Sequence, residues 1–369
     1  MACIPERQRA LKIVEAGKVE VVEGAQVPHA EGDEVLIRVV SVAVNPADAK
    51  SLDLSPTRGA TVGVDFAGEV VKVGPAVRKQ ISVGDRVCGP VFGNNPLRPE
   101  NGAFAEYVAA PGDLLFKIPE AMDFDQACTL GVSLATVGLA LYQSLGIPMP
   151  TSFSTVQRQQ QQQQQRYVLI YGGGTATGTM AIQMAARSGL VPITTCSPER
   201  FDWVKSLGAA AAFDYRSPSV GSDIRAFTRN TLNMALDCIT TTTTMSTCYE
   251  AISSNGGKYL SLDPFPIRTH TRRSVRPSWV FGLTIFGKPV MWKRPMNVEA
   301  KPSDKTFTEK WFLVAQSMLD KGDIRTHKYE TRVGGLAGLV GGLDDVRKGQ
   351  VAGKKLVYRV QECLPLADV

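Results

Sequence analysis

Hydrophobic and polar positions change their spacing twice along the chain. Residues 34–44, EVLIRVVSVAV, and 64–73, VDFAGEVVKV, are β-branched runs with partial alternation, separated by the breaker Gly63, a texture that predicts short strands. Val83-Gly84-Asp85-Arg86-Val87 and Gly102-Ala103-Phe104-Ala105-Glu106-Tyr107 each read as a turn feeding a strand. The first 120 residues are therefore expected to form an irregular β domain. From Asp125 to Leu145 the spacing becomes helical, with Leu134, Val137, Leu141 and Leu145 on one side, so the chain is expected to leave that domain on helices. Gln159 to Gln165 then form an unbroken glutamine run, which has little apolar surface to bury and reads as a surface loop.

Beyond the glutamines, strand-like and helix-like stretches alternate. YVLIYG (167–172), LVPITTCS (190–197), AAFDY (211–215), MALDCI (234–239) and GGKYLSL (256–262) are separated by segments of helical spacing. Such alternation predicts a doubly wound parallel sheet covered by helices. From about residue 291 the pattern is mixed again and ends on the strand-like Lys354-Lys355-Leu356-Val357-Tyr358-Arg359-Val360. This terminal strand is expected to rejoin the first domain, which gives a discontinuous domain over 1–133 and 291–369, a nucleotide-binding domain over 134–290, and a Gln-rich loop at 151–166.

Composition narrows the function. With 369 residues, 44% hydrophobic and 21% charged, the chain is long enough for two cores and too apolar to be disordered. The charge of +6, from 41 basic and 35 acidic residues, lacks the dense basic-aromatic stripe of a nucleic-acid binder. No run of about 20 apolar residues exists, and Met1-Ala2-Cys3-Ile4-Pro5-Glu6-Arg7 lacks a signal-peptide core, so a cytoplasmic protein without membrane contact is expected. The cysteines at 3, 88, 128, 196, 238, 248 and 363 show no CxxC pair, and His29, His270 and His327 are isolated. No metal site is expected, and the cysteines read as small core residues in a reducing compartment.

The chemistry-bearing segment is Tyr167-Val-Leu-Ile-Tyr-Gly172-Gly173-Gly174-Thr175-Ala176-Thr177-Gly178, an apolar strand entering a Gly-rich turn and a helix. Glycines let the backbone approach a pyrophosphate, and the helix start supplies N–H groups and positive potential. The second strand of the alternation ends at Thr194-Thr195-Cys196-Ser197-Pro198-Glu199-Arg200 without a closing carboxylate. A carboxylate there would bond the ribose of NAD, whereas Ser197 and Arg200 suit a 2′-phosphate, so NADPH is the expected cofactor. Glu199 would weaken that preference if it, and not Arg200, pointed at the ribose. Tyr215 stands where its ring can lie beside the adenine or simply pack in the core.

Asn45-Pro46-Ala47-Asp48-Ala49-Lys50, Gly63-Val64-Asp65-Phe66-Ala67-Gly68-Glu69-Val70, the Gly84-Asp85-Arg86-Val87 turn and Gly102 to Tyr107 resemble the medium-chain dehydrogenase/reductase superfamily over nearly the whole chain. The resemblance implies an α/β protein pairing a GroES-like irregular β catalytic domain with a doubly wound Rossmann domain. VNPADAK and DFAGEV carry no ligand cysteine or histidine, which resembles the zinc-independent, quinone-reductase-like branch. TATGTMAIQM, ITTCSPERFDWVKSLGA, FDYRSP, ALDCIT, LDPFP and TIFG are similar to the trans-acting enoyl reductases of fungal polyketide pathways, of the lovastatin-pathway type. Those enzymes use NADPH to reduce an α,β-unsaturated thioester on the carrier domain of a highly reducing polyketide synthase, including synthase–peptide synthetase hybrids.

By position, the resemblance implies cofactor contacts from Ala47, Asp48, Ala49 and Lys50; Gly174, Thr175, Ala176 and Thr177; Ser197, Pro198, Glu199 and Arg200; Tyr215; Leu262 and Asp263; and Ala352 and Gly353. It implies an acyl channel lined by Thr136, Val137, Gly138, Leu139, Ala140, Leu141, Tyr142 and Gln143 and by Leu283, Thr284, Ile285, Phe286 and Gly287. Gly174 departs from the lovastatin-type hydroxyl, at a cost of about 1 kcal/mol for one phosphate hydrogen bond. Lys50 is the candidate catalytic residue, a cation able to stabilise the thioester oxygen or donate the proton; a cofactor-touching surface lysine and a water donor are the alternatives. The run Arg268, His270, Arg272, Arg273 and Arg276, flanked by Phe265 and Trp279, is either a solvated loop or a docking patch for an acidic carrier domain. An edge strand is expected near 281–288, where Lys288 and Pro289 would oppose dimerisation and leave a monomer. The rival functions are a reductase of free quinones or enones and a non-catalytic nucleotide-binding protein of the same fold.

Overall fold

The computed structural model describes residues 4–150, 166–351 and 353–361. The glutamine run and Ala352 lie outside the described residues. In chain order the first stretch holds β1 (Arg7–Glu15), β2 (Lys18–Gln26), β3 (Glu34–Ala43), α1 (Pro46–Leu54), β4 (Asp65–Val73), β5 (Arg86–Pro90), β6 (Tyr107–Pro111), β7 (Phe116–Lys117), α2 (Phe124–Ala127) and α3 (Gly131–Val137). The helix α3 runs on as a π-helix over Gly138–Ser144. The alternating stretch holds β8 (Tyr167–Tyr171), α4 (Ala176–Arg187), β9 (Val191–Cys196), α5 (Phe201–Ser206), β10 (Ala211–Asp214), α6 (Val220–Phe227), β11 (Met234–Asp237), α7 (Thr242–Ala251), β12 (Gly257–Ser261) and β13 (Val275–Trp279). The last stretch holds β14 (Val290–Met291), β15 (Asn297–Val298), α8 (Pro302–Asp320), β16 (Tyr329–Arg332), α9 (Gly335–Arg347) and β17 (Lys355–Arg359). The chain divides into one unit of Met1–Ala135 with Leu283–Val369 and a second of Thr136–Gly282.

In the first unit, strands run in the order β16-β17-β3-β4-β5-β7, with β6 also on β3. The strand β3 serves two partners along one edge, because Glu34–Arg38 face β6 while Ser41–Ala43 face β17. Its near-continuous apolar run follows from burial on both faces. Ile37, Phe66, Phe104, Leu356 and Tyr358 are buried in the core of this unit. The helix α9 approaches closely because Gly338 and Gly342 leave room for the Tyr358 ring, whose carbons would lie 2.9 Å from a Cβ at either position. Trp311 of α8 is fully buried and donates its indole N–H to Leu134 O at 2.8 Å.

The segment expected as a strand over 102–107 is displaced: the regular strand starts only at Tyr107. Residues 103 and 104 instead bond the backbone of Gly63 and Val62 at 2.9 Å each. A Cβ at Gly102 would crowd the Thr61 carbonyl at 2.6 Å, so the close crossing depends on glycine.

The second unit is a six-stranded, all-parallel sheet in the order β10-β9-β8-β11-β12-β13, with the strand order reversing beside β8, where such sheets open a crevice for a ligand. Its edge strands are β10 and β13, and residues 281–288 form neither. Gly282–Phe286 instead form a 3-10 turn that buries Ile285 and Phe286, and Gly287 follows with φ +66°. On the β13 edge Pro277, paired with Tyr259, supplies no N–H to a further strand.

Candidate active site

Within the second unit the Gly-rich turn is built as a close cradle. Thr175 caps α4, accepting from Gly178 N at 3.0 Å and donating to Gly172 O at 2.8 Å. The following amides of Ala176 and Thr177 lie in the first turn, where no intrahelical acceptor exists, so they remain available to an anion. Two neighbouring threonines on β9 hold the turn down. Thr195 Oγ1 accepts from Gly172 N at 3.1 Å, Thr195 O accepts from Gly173 N at 2.9 Å, and Thr194 Oγ1 donates to Ile170 O at 2.6 Å. A Cβ on Gly173 would run into the Thr194 hydroxyl, and one on Gly178 into the Gly172 carbonyl. This space, kept open by glycine at a helix start, fits a dinucleotide pyrophosphate. Sequence reasoning missed the two threonines because hydroxyls on a buried strand carry no periodic signal.

The strand β9 ends in Cys196, and the segment after it sorts its charges. Arg200 lies over the turn, with Nη1 donating to Gly174 O at 3.1 Å and 2.9 Å from where a Cβ of residue 174 would stand. The guanidinium thus fills the space that a side chain at 174 would need. Glu199 folds back on its own turn: hydrogen bonds from its backbone N–H and from the Ser197 hydroxyl hold its carboxyl below the usual range. Tyr215 is half exposed, and Arg216 stands 5.8 Å above its ring while gripping Asp214 at 3.0 and 3.1 Å.

Asp237, at the end of β11 and fully buried, organises the next loop. Its carboxylate accepts from Ile239 N at 2.9 Å, Thr240 N at 3.0 Å, Thr244 Oγ1 at 2.6 Å and Tyr259 Oη at 2.8 Å. These bonds hold Thr240 at φ +62°, a conformation unfavourable for a β-branched residue, and set Ile239 against Gly172, 3.0 Å from a Cβ there. Leu262 and Asp263 are half-buried just beyond β12, with Asp263 O accepting from Ser261 Oγ at 2.7 Å. Thr136 through Tyr142 are buried, Tyr142 reaching Ser188 Oγ at 3.4 Å. Within the basic run, Arg272 donates to the carbonyls of Tyr249, Ile252 and Ser253 and closes the end of α7, and His270 Nδ1 lies 2.9 Å from Tyr249 Oη, while Arg268, Arg273 and Arg276 are exposed.

Within the first unit, α1 presents Ala47 and Lys50 outward and turns Asp48 and Ala49 inward. Asp48 Oδ2 accepts from Asn45 N at 2.8 Å, while Oδ1 is buried without a hydrogen-bond partner. Burial pushes its carboxyl up to about 7; the Asn45 N–H opposes this, nearby Asp65 adds to it, and Lys355 works against it. Asp65 is fully buried and accepts Asn45 Nδ2 at 3.0 Å, Val132 N at 2.7 Å and the Lys355 ammonium. Thr284 donates to Asp304 at 2.6 Å, and Phe286 stacks on Phe92 at 6.1 Å. Gly353 is half-buried at φ +63°.

Among the described residues, no three His, Cys, Asp or Glu side chains group as a metal site. Burial pushes the Cys88 and Cys128 thiols up, and an ammonium occupies Asp65. This donor set does not fit zinc, which takes thiolate, imidazole or free carboxylate ligands. Among the described residues one stretch, Phe124–Ser144, is long and apolar enough to cross a membrane, and most of it is buried inside the molecule as a core helix is.

A β-rich first unit, an all-parallel second unit and a glycine cradle at a helix start define a medium-chain dehydrogenase/reductase. Residues 31–120 match the alcohol dehydrogenase GroES-like domain and 176–287 the zinc-binding dehydrogenase family. The trans-enoyl reductase opdC of Penicillium oxalicum is 50% identical over 98% of this chain and 100% of its own length. The trans-enoyl reductase iccB of Talaromyces variabilis is 49% identical over 97% of each chain. Among solved structures, the CurK enoyl reductase superposes with a TM-score of 0.74 at 16% identity, over 96% of this chain and 99% of that one. A Novosphingobium aromaticivorans protein of the alcohol dehydrogenase superfamily gives 0.74 at 22% identity, over 96% and 100%. The chain belongs to the trans-enoyl reductases of this superfamily and is an oxidoreductase.

Proposed function

We propose that this enzyme uses NADPH to reduce the α,β-carbon bond of a polyketide thioester held on the carrier domain of a partner synthase, in the cytoplasm and as a monomer. The observation that carries the cofactor choice is Arg200 lying on Gly174 O at 3.1 Å beside a strand end free of carboxylate. A planar guanidinium there bonds a 2′-phosphate in two places, whereas a carboxylate would repel it. Glu199, tied to its own turn and to Ser197, leaves Arg200 as the group facing the cradle.

When bound, NADPH supplies the hydride. The chain's own part is to hold and polarise. The Ala176 and Thr177 amides would receive the pyrophosphate, and Arg200 with Ser197 the 2′-phosphate. Tyr215, Leu262, Asp263 and Gly353 are further proposed contacts, as are Ala47 to Lys50. Thr136 to Gln143 and, separately, Leu283 to Gly287 are proposed as acyl-contacting segments. Lys50 is proposed to stabilise the thioester oxygen or to protonate the α-carbon. The edge proline, Pro277, supports the monomer by withholding a donor from a further strand.

The test is to follow NADPH oxidation with an α,β-unsaturated pantetheine thioester and with a free quinone, then to repeat it with NADH. Product mass should gain two hydrogens, with the thioester preferred over the quinone and NADPH over NADH. Faster turnover of the quinone would make this a reductase of free small molecules. No oxidation of NADPH under any condition would leave a non-catalytic nucleotide-binding protein. A stable dimer by size measurement in solution would overturn the monomer.

A further inference from the structure

We propose that Asp65 and Lys355 are positioning residues of this reductase, a buried pair that fixes the starts of α1 and α3 and the start of the last strand at one point. The inference rests on the reading above in one respect, that α1 carries residues which contact the cofactor.

The two side chains come from residues 290 positions apart, and they are 0% and 4% exposed. One oxygen of Asp65 takes the Lys355 ammonium and Asn45 Nδ2, at the entrance to α1. The other takes Val132 N at 2.7 Å, at the entrance to α3. Lys355 Nζ reaches on to Thr129 O at 3.3 Å, in the turn between α2 and α3. A buried ion pair is a poor way to gain stability, because desolvation offsets most of the attraction and an apolar pair of equal volume does as well. What it supplies is direction: a carboxylate with about four acceptor positions can orient several donors from different segments at once.

Asp48 makes the arrangement depend on that single cation. It faces inward from α1 with Oδ1 unpartnered and its carboxyl pushed up by burial and by nearby Asp65, while the Lys355 charge works against that rise. The other titratable groups set against the pair are the thiols of Cys88, on β5, and Cys128, after α2, both pushed up by burial and therefore neutral. Without Lys355 the pocket would hold two acids and no positive charge. The entrance to α1, where Asn45 and Asp48 meet Asp65, would then lose its fixed geometry.

The experiment compares Lys355→Met, Lys355→Arg and Lys355→Met/Asp65→Asn with the wild-type enzyme. NADPH affinity is read by fluorescence titration, the KM and kcat with an unsaturated pantetheine thioester by NADPH oxidation, and amide hydrogen exchange over residues 45–50 and 129–132 by mass spectrometry. Lys355→Met is expected to bind NADPH at least tenfold more weakly, with KM for NADPH changing more than kcat. Its exchange should be faster in both segments, while the β1–β2 hairpin stays unchanged. Lys355→Arg should stay within threefold of wild type. The uncharged double variant should fold, yet keep most of the affinity loss, because Asn45 and Val132 no longer meet a charged acceptor. Where Lys355→Met does not fold, the double variant decides. Wild-type affinity in the double variant, or unchanged affinity and exchange in a folded Lys355→Met, would overturn the proposal and leave a purely structural pair. If the wild-type protein takes up no NADPH, the cofactor reading fails, and hydrogen exchange alone decides the positioning role.

Discussion

Replacing Asp48 by Asn isolates the electrostatic load of the α1 entrance. The folded protein holds the Asp48 proton up to about pH 7, whereas an unfolded chain releases it near pH 4. Between those values the folded state binds more protons, so stability falls as pH rises through that window and then levels off. A shift of about 3 units is worth about 4 kcal/mol in full, of which about 2 kcal/mol is lost between pH 5 and pH 7. Asn keeps an acceptor for the Asn45 N–H and places an amide where Oδ1 has no partner, and it does not titrate. The variant should therefore be close to wild type at pH 5 and more stable at pH 8, by up to about 3 kcal/mol. Urea unfolding of both proteins at pH 5, 6, 7 and 8 measures the difference directly. Parallel curves across that range would refute the argument, because they would mean that Asp48 is already ionised when folded.

Arg200→Ala should weaken NADPH binding ten- to hundredfold, from loss of a charge-assisted bond worth about 1.5–3 kcal/mol, with NADH affinity within threefold of wild type; equal losses for both nucleotides would reject a 2′-phosphate role. Gly173→Ala drives a methyl into the buried Thr194 hydroxyl and should abolish saturable nucleotide uptake while lowering stability by about 1–3 kcal/mol; retained affinity would show that the turn can open freely. Gly341→Ala, on the exposed face of α9 with nothing within 4 Å of the new methyl, should raise stability by up to about 1 kcal/mol in thermal unfolding, and a loss there would contradict the packing described for that helix. Lys50→Ser should slow hydride transfer in single-turnover experiments at saturating NADPH, and an unchanged rate would remove Lys50 from the chemistry.

What the sequence could reveal was local. The alternation from Tyr167 to Leu262 is a repeat of strand and helix periods within about 25 residues, and β8 to β12 follow it closely, while the sixth strand, β13, falls in the stretch read as a basic run. The glycines at 172–174 and 178 announce a phosphate cradle because few other demands place them between a strand and a helix. Errors arose where tertiary contact outweighed local texture. Gly102–Tyr107 alternates like a strand, yet its glycine is there to cross the Thr61 carbonyl. FGLTIFG looks like an edge strand, yet its apolar residues point inward from a tight turn. Arg272 reads as surface charge, yet its fork finds three orphan carbonyls at a helix end. The groups that fix the candidate site were the least legible. Asp65 and Lys355 meet across 290 residues, and Thr194, Thr195 and Asp237 act through hydrogen bonds that leave no spacing to read.

The placement of β17 between β16 and β3 has a consequence for synthesis. On the ribosome β3 emerges more than 300 residues before its neighbour over Val357–Arg359, a delay of roughly 15–60 s at ordinary elongation rates. Throughout that interval the short margin Ser41–Ala43 of β3 has no strand beside it, while the stretch from Thr136 to Gly282 can already complete its own core. Heterologous production should therefore be limited by sticking of the unfinished amino-terminal half, and slower translation after Gly282 should lower the soluble yield.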